Sequence, residues 1–315
     1  MRKKQKQNYS NINLFTPYMN RHLSSIMIEL TNTCNAKCPL CPTGSDSLDR
    51  KKGFISNELF QKIMNEVREL NHKVQIVSFN YGEPFLHPRW SQLYEMIPEN
   101  VYHRTSTNGL VFYKQEDIDL LANSKLNECV VSIDGSTKEL NATYRKGVDL
   151  DRIYEGLKYY FDKYGSISSR PKIKIQTVLF SYNTKDLASI KNKFSGLYDN
   201  IYYKLPNFNM AEFSETDEIN KQTQQKVTED IPNSCSIFSG SFVINWNGEC
   251  NPCCHDYQGQ IIIGDANKQT IGEIFNSEKS KDFFAKILAD RKQNDICRVC
   301  PIDRRTLSRN NVINY

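Results

Sequence analysis

Apolar segments of strand length alternate with amphipathic helical segments from about residue 26 to residue 205. A hydrophobic period of two residues is typical of strands, and a period of 3.6 residues is typical of helices. The pattern predicts strands at 26–30, 74–79, 101–106, 128–133, 172–180 and 200–205. It also predicts a helix over the apolar positions 59–70, N-capped by Ser56, and helices at 88–97, 114–123, 150–163 and 184–194.

This alternation of strand and helix favours a parallel sheet covered by helices. Six such units are two fewer than a closed eight-stranded barrel contains. We therefore expect an α/β fold with a partial (β/α)6 barrel similar to a TIM barrel. In parallel barrels, the loops at the C-terminal ends of the strands carry the chemistry, so residues on those loops are the functional candidates.

The pattern of polar and apolar residues changes after the predicted barrel. Residues 206–234 are polar and are predicted to form a linker. An apolar run at 242–246 then leads into Asn247-Gly248, which indicates a β-hairpin, and the segment Ile271 to Leu288 is predicted to be helical. The expected organisation is a basic, disordered tail at 1–23, the barrel at 24–205, the linker at 206–234 and a small cysteine-rich α+β extension at 235–315.

The net charge of +5 is confined to the start of the chain. Residues 1–28 hold five basic residues and no acidic one, which leaves 36 of each sign in residues 29–315. A neutral folded body does not favour nucleic acid as a partner. No run approaches the ~18 apolar residues of a membrane span, and no signal peptide follows the basic start, so we expect a cytoplasmic protein without a membrane partner.

Nine of the ten cysteines fall into two groups on predicted loops. In a reducing compartment such groups indicate metal ligands more than disulfides. The tenth, Cys129, begins a predicted strand and is expected to be a small buried side chain. The first group, Cys34, Cys38 and Cys41, directly follows the first strand and is called the cysteine triad below. Three thiolates leave one metal position open for a ligand that is not protein, although a zinc knuckle or a disulfide pair is an alternative.

The second group lies in the C-terminal extension, at Cys235, Cys250, Cys253, Cys254, Cys297 and Cys300. Hairpin cysteines together with a terminal Cys-x-x-Cys would bind zinc or a 4Fe–4S cluster equally well. The residues alone leave that choice open.

The spacing of the triad, with three and then two residues between cysteines, resembles that of the radical S-adenosylmethionine (SAM) enzymes. The resemblance implies that the triad holds a 4Fe–4S cluster whose fourth iron is chelated by the amino and carboxylate groups of SAM. It further implies reductive cleavage of SAM to a 5′-deoxyadenosyl radical that removes hydrogen from unactivated carbon.

Three shorter motifs follow on successive strand ends. The segment Tyr81-Gly82-Glu83-Pro84 resembles the family's Gly-Gly-Glu-Pro motif, which meets the SAM amino group, with Tyr81 in place of the first glycine. The segments 106–109 and 132–135, the latter followed by Tyr144-Arg145, are similar to the family's Thr-Asn-Gly and Ser-x-Asp-Gly motifs. The implied cofactor-binding residues are Tyr81, Gly82, Glu83, Pro84, Thr107, Asn108, Ser132 and Arg145. Leu40 stands where the family often has an aromatic residue near the adenine.

The extension resembles the SPASM or twitch domain of the same enzymes. That resemblance implies one auxiliary 4Fe–4S cluster, held by Cys235, Cys253, Cys297 and Cys300. Cys254 is an alternative to Cys253. Of the two cysteines left over, Cys250 and Cys254, each is either inert or a hydrogen donor to a substrate radical, a role that thiols play in related epimerases.

The resemblance therefore implies an oxidoreductase that removes hydrogen from a C–H bond, assisted by the auxiliary cluster. About 25 residues precede the first strand, which favours a sugar or aminocyclitol-like small molecule over a peptide. A flavodoxin or ferredoxin is the implied reducing partner. The alternatives are a peptide maturase or an epimerase of the same family, and a non-catalytic zinc or iron–sulfur protein.

Overall fold

The computed structural model describes residues 21–204, 206, 235, 240–298 and 300. Within these residues one sheet has the strand order β6-β5-β4-β3-β2-β1-β7-β8-β9. Its strands are β1 (Ser25–Ile28), β2 (Gln75–Val77), β3 (Tyr102–Thr107), β4 (Glu128–Ser132), β5 (Lys172–Val178), β6 (Asn200–Lys204), β7 (Ser241–Ile244), β8 (Glu249–Asn251) and β9 (Gly264–Asp265). Neighbouring strands from β1 to β6 are parallel, which confirms the predicted partial barrel.

Helices follow the strands and cover the sheet. They are α1 (Asn57–Glu69), α2 (Trp90–Met96), α3 (Gln115–Ala122), α4 (Lys138–Tyr144), α5 (Leu150–Tyr164), α6 (Leu187–Lys193), α7 (Ile271–Phe275), α8 (Glu278–Asp290) and α9 (Asp295–Arg298). Helix α1 begins as predicted, because Ser56 Oγ accepts a hydrogen bond from the Leu59 amide at 3.1 Å. The predicted apolar face of α1 is buried against the sheet. Cys129, which lies in β4, is buried as predicted. Helix α4 was not predicted.

The extension continues the barrel sheet and is not a separate β element. Strand β7 pairs in parallel with β1, so that Ile26 lies opposite Phe242. The predicted hairpin is present, with Gly248 at φ +92° between the antiparallel strands β7 and β8. The segment predicted to be helical from 271 to 288 forms two helices, α7 and α8. Ser277 is the N-cap of α8, because its Oγ accepts a hydrogen bond from the Ser280 amide at 3.1 Å.

Arg21 and Leu23, which the sequence assigned to the basic tail, are packed against other parts of the chain. Leu23 is buried, and the Arg21 guanidinium lies 4.1 Å from the centre of the Phe275 ring and donates to Ser280 Oγ at 3.0 Å. Residues 1–20, and the predicted linker apart from Pro206, lie outside the described residues. No helix in the described part of the chain has the length and apolar character needed to cross a membrane.

Candidate functional site

A cavity of about 230 Å³ opens at the C-terminal ends of the parallel strands. It is lined by the whole cysteine triad and by seven of the eight residues implied for SAM binding: Tyr81, Gly82, Glu83, Thr107, Asn108, Ser132 and Arg145. The eighth, Pro84, is buried behind them at the start of a short 3-10 turn. The structure thus brings residues from four strand ends to one place.

The triad loop is held by N–H groups directed at its sulfur atoms. The Ala36 amide lies 3.4 Å and Asn108 Nδ2 lies 3.6 Å from Cys34 Sγ, and Arg145 Nη1 lies 3.8 Å from Cys38 Sγ. Burial raises the pKa of Cys34 to about 12 and also raises the pKa of Cys38. These thiols therefore need a bound cation to ionise, and their N–H partners then stabilise the thiolates.

The donor set of the triad fits an iron–sulfur cluster. Three thiols face one cavity whose remaining wall is open to a further ligand. In the described residues no three Cys, His, Asp or Glu side chains converge on one metal ion. In a 4Fe–4S cluster each thiolate binds a different iron, so convergence on a single point is not required.

The turn at residues 81–84 is packed against the triad loop. Gly82 has φ +95°, and a Cβ atom there would lie 2.3 Å from the carbonyl oxygen of Thr31, so only glycine fits. The next amide, of Glu83, donates to the Thr33 carbonyl at 2.8 Å. The backbone after β2 is therefore fixed against the backbone after β1.

The Glu83 carboxylate is 2% exposed and organises the end of β3. Its Oε1 accepts from Thr107 Oγ1 at 2.8 Å and from the Phe85 amide at 3.3 Å, and its Oε2 accepts from the Asn108 amide at 2.7 Å. Burial raises the pKa of Glu83 to about 7, although these hydrogen bonds oppose the rise. The carboxylate lines the cavity and also orients Asn108, whose amide group reaches Cys34.

Arg145 is oriented by Asp134, a residue to which the motif comparison gave no role. Asp134 is fully buried, and its Oδ2 accepts from Arg145 Nε at 2.5 Å while its Oδ1 accepts from the Val178 amide at 2.6 Å. Burial lowers the pKa of Arg145, but the Asp134 charge outweighs this and raises it overall. The signal in the sequence was an acidic residue two positions after Ser132.

A group of aromatic rings packs beside the cavity, and of these Tyr144 lines it. Leu40 packs against Val178 and Phe180. The Phe180 ring lies 4.7 Å from that of Tyr144 and is stacked at 5.6 Å on that of Tyr182. Phe180 and Tyr182, which follow β5 and were not indicated by the sequence, therefore form an aromatic cluster with Tyr144 beside Leu40.

The auxiliary cysteines lie together beside this cavity. Burial, with the nearby Cys254, Cys235 and Cys300, raises the pKa of Cys253 well above its usual value. Burial, with Cys235 and Cys300, likewise raises the pKa of Cys297 to about 12. Cys253 and Cys297 are therefore both near Cys235 and Cys300, and Cys254 is near Cys253.

One further residue of this group was missed from the sequence. The Arg291 guanidinium is 2% exposed and donates to the carbonyl oxygens of Cys297 at 2.8 Å and Cys300 at 3.0 Å. It therefore fixes the backbone of the terminal Cys-x-x-Cys. Cys250 is fully buried in the hydrophobic core and does not line the cavity, and its Sγ donates to the Gly248 carbonyl at 3.4 Å.

The fold is a partial parallel barrel with three thiols at its open end and a second cysteine group beside them. These features define an iron–sulfur enzyme built on a partial (β/α) barrel. Residues 28–190 match the model of the Radical SAM superfamily, and residues 235–301 match that of an iron-sulfur cluster-binding domain, SPASM. The chain belongs to the radical SAM superfamily. It is an enzyme that uses SAM with a 4Fe–4S cluster, and its SPASM region binds auxiliary iron–sulfur centres.

Similar proteins act on different substrates. An S-adenosyl-L-methionine-dependent 2-deoxy-scyllo-inosamine dehydrogenase of Niallia circulans is 23% identical over 287 residues, which span 90% of this chain and 94% of that protein. The structure of BtrN in complex with AdoMet and 2-DOIA is 18% identical, with a TM-score of 0.57 over 88% of this chain and 92% of that one. Streptococcus suis SuiB bound to precursor peptide SuiA is 16% identical, with a TM-score of 0.62 over 89% and 70%. The two structures show a shared fold.

Proposed function

We propose that this protein is a radical SAM dehydrogenase that oxidises an alcohol carbon of a small, polyhydroxylated substrate of the sugar or aminocyclitol class. The observation that carries the proposal is the contact between the two cysteine regions. Tyr81, which lines the SAM cavity, donates its hydroxyl hydrogen bond to the backbone carbonyl of Cys254 at 2.5 Å. An electron acceptor beside the hydrogen-abstraction site favours oxidation of the substrate radical.

The bound cofactors supply the hydrogen-abstracting radical and an acceptor for one electron. The substrate would lose a hydrogen atom from carbon, then one electron, with its hydroxyl proton released to water, and would leave as a carbonyl compound. The chain's own residues bind SAM and the substrate and orient them. Arg145, fixed by Asp134, is suited to a carboxylate such as that of SAM, because a guanidinium can donate more than one hydrogen bond to it.

The far side of the cavity supplies a polar group suited to hydroxylated substrates. Gln176 lines the cavity, and Tyr202 donates to its Oε1 at 3.0 Å, which fixes the amide and leaves its NH₂ group as a donor. An oriented amide donor discriminates in favour of substrates with a hydroxyl acceptor. The full-length similarity to the 2-deoxy-scyllo-inosamine dehydrogenase supports the same substrate class.

We propose Cys235, Cys253, Cys297 and Cys300 as ligands of a single auxiliary cluster. Cys254 remains the alternative to Cys253, because the two are adjacent and both lie in the group. Cys250 is assigned no chemical role, because its thiol is buried in the core. A low-potential carrier such as a flavodoxin or ferredoxin is the proposed electron source for SAM cleavage.

The test is anaerobic turnover of the reconstituted enzyme with SAM, dithionite and a panel of 2-deoxy-scyllo-inosamine, other polyols and short peptides. We expect a polyol product that has lost two hydrogens, with one 5′-deoxyadenosine per product, and Cys250→Ala is expected to behave like the wild type. A parallel reaction in deuterium oxide separates the alternatives. Solvent deuterium at an inverted carbon would establish an epimerase, and modification of a peptide alone would establish a peptide maturase. Failure to cleave SAM with any substrate would contradict the enzyme assignment.

A further inference from the structure

The loop that carries Cys253 and Cys254, residues 253–258, is tied to the SAM half of the molecule at three places. This segment is called the auxiliary loop. Tyr81 Oη donates to the Cys254 carbonyl at 2.5 Å, and Arg50 Nε donates to the Tyr257 carbonyl at 2.8 Å. The side-chain amide of Gln258 makes the third tie: it accepts from the Asp49 backbone amide at 2.9 Å and donates to the Ser47 carbonyl at 2.8 Å. Two of the ties come from residues 47–50, which follow the triad loop in sequence.

The Arg50 tie is rigid because the guanidinium is already held. Arg50 Nη1 and Nη2 donate to the two carboxylate oxygens of Glu29 at 2.9 and 2.7 Å, and Glu29 is fully buried. Asn80, which lines the cavity, donates to the same carboxylate at 3.2 Å. A bidentate pair of this kind fixes the planar guanidinium, so its Nε–H is directed at Tyr257 in advance.

Tyr81 touches both regions. It lines the cavity together with Cys41, its side chain is 6% exposed, and its ring lies 6.1 Å from that of Tyr257 in an edge-to-face arrangement. The position corresponds to the first glycine of the Gly-Gly-Glu-Pro motif that the segment resembles, and a glycine has no side chain to reach the auxiliary loop. The phenol is therefore a contact that this chain adds.

We propose that Tyr81 is a positioning residue that holds the auxiliary loop against the SAM cavity and thereby couples SAM cleavage to substrate oxidation. This inference rests on the proposed function, in which the auxiliary cluster accepts the electron of the substrate radical. A loop that is released moves the acceptor away, and small displacements of a reacting partner carry large rate penalties. The substrate radical then takes a hydrogen atom from the added thiol reductant, dithiothreitol, which becomes a thiyl radical, and the substrate is recovered unoxidised.

The experiment compares Tyr81→Phe with Tyr257→Phe in the reconstituted enzyme. Both changes remove one hydroxyl, but the Tyr257 hydroxyl has no hydrogen-bond partner among the described residues. We expect the ratio of 5′-deoxyadenosine formed to product oxidised to rise severalfold in Tyr81→Phe, whatever its rate of SAM cleavage. In deuterium oxide the excess is expected as deuterated, unoxidised substrate. Tyr257→Phe is expected to keep the wild-type ratio.

Hydrogen–deuterium exchange of the same proteins without substrate gives a readout independent of turnover. Loss of one buried hydrogen bond is expected to speed exchange of auxiliary-loop amides about fivefold to tenfold in Tyr81→Phe. Gln258→Ala, which breaks another tie, is expected to speed the same amides to a smaller extent and keeps the test available if Tyr81→Phe loses its iron.

The outcomes separate this inference from the proposed function. Unchanged exchange in Tyr81→Phe, or faster exchange with an unchanged product ratio in either variant, would overturn the positioning role. A wild-type enzyme that cleaves SAM but oxidises no polyol would refute the proposed function and, with it, the coupling. The exchange comparison would still show whether Tyr81 holds the loop.

Discussion

Replacing Glu83 with glutamine probes the most perturbed carboxyl group of the site. Glutamine keeps the size of the side chain but cannot ionise. It also presents an NH₂ group either to the Asn108 amide or to the Phe85 amide, both of which are donors to Glu83. A donor facing a donor leaves a buried N–H unsatisfied, which costs about 1–3 kcal/mol at every pH.

The pH dependence has a definite sign. Burial raises the pKa of Glu83 from 4.5 to about 7, so the neutral form is favoured in the folded protein. This group therefore contributes stability that is fully present below pH 4.5 and is lost as pH rises to about 7. The total loss is roughly 3 kcal/mol at 1.36 kcal/mol per pH unit. Between pH 5 and 8 the wild type is expected to lose about 2–3 kcal/mol relative to Glu83→Gln.

The measurement is urea unfolding of the cluster-free, reduced protein between pH 5 and 8, for the wild type and for Glu83→Gln. Taking the difference at each pH cancels the titration of all other groups. Glu155→Gln, on the exposed face of α5, is the matched control and should run parallel to the wild type. A difference between the wild type and Glu83→Gln that stays constant over this range would refute the reasoning, because it would mean that burial does not shift the ionisation of Glu83.

Two predictions concern the cofactors. The reconstituted enzyme is expected to hold roughly eight iron and eight sulfide per chain. Replacement of all three triad cysteines by alanine should halve both numbers. An active preparation that contains stoichiometric zinc and no iron would contradict this prediction. Arg145→Lys is expected to keep most of the iron but to weaken SAM binding by about tenfold to a hundredfold in equilibrium dialysis, because lysine cannot donate to Asp134 and to a carboxylate in the same planar geometry. Wild-type affinity in that variant would contradict the placement of Arg145.

The order of the barrel strands, and of every barrel helix except α4, followed from the sequence alone. Periodicity reports which face of each element is buried, and burial is what a strand or helix requires locally. The same holds for the Ser56 cap and the Asn247-Gly248 turn, whose geometry depends on a few neighbouring residues. The motif residues were identified by their resemblance to those of the radical SAM family. They lie together because each follows a strand, and parallel strands direct their C-terminal ends to one edge.

The tertiary structure decided the contacts between residues far apart in the chain. The pairing of β7 with β1 makes the extension part of the barrel sheet, and no periodicity in either strand specifies its neighbour. Tyr81 and Cys254 are separated by 173 positions, so their hydrogen bond exists only because that pairing brings the extension to the cavity. The use of Asp134 to orient Arg145 likewise depended on how β4 and α4 pack. Local patterns encode burial and turns, whereas partners are chosen by packing of the whole chain.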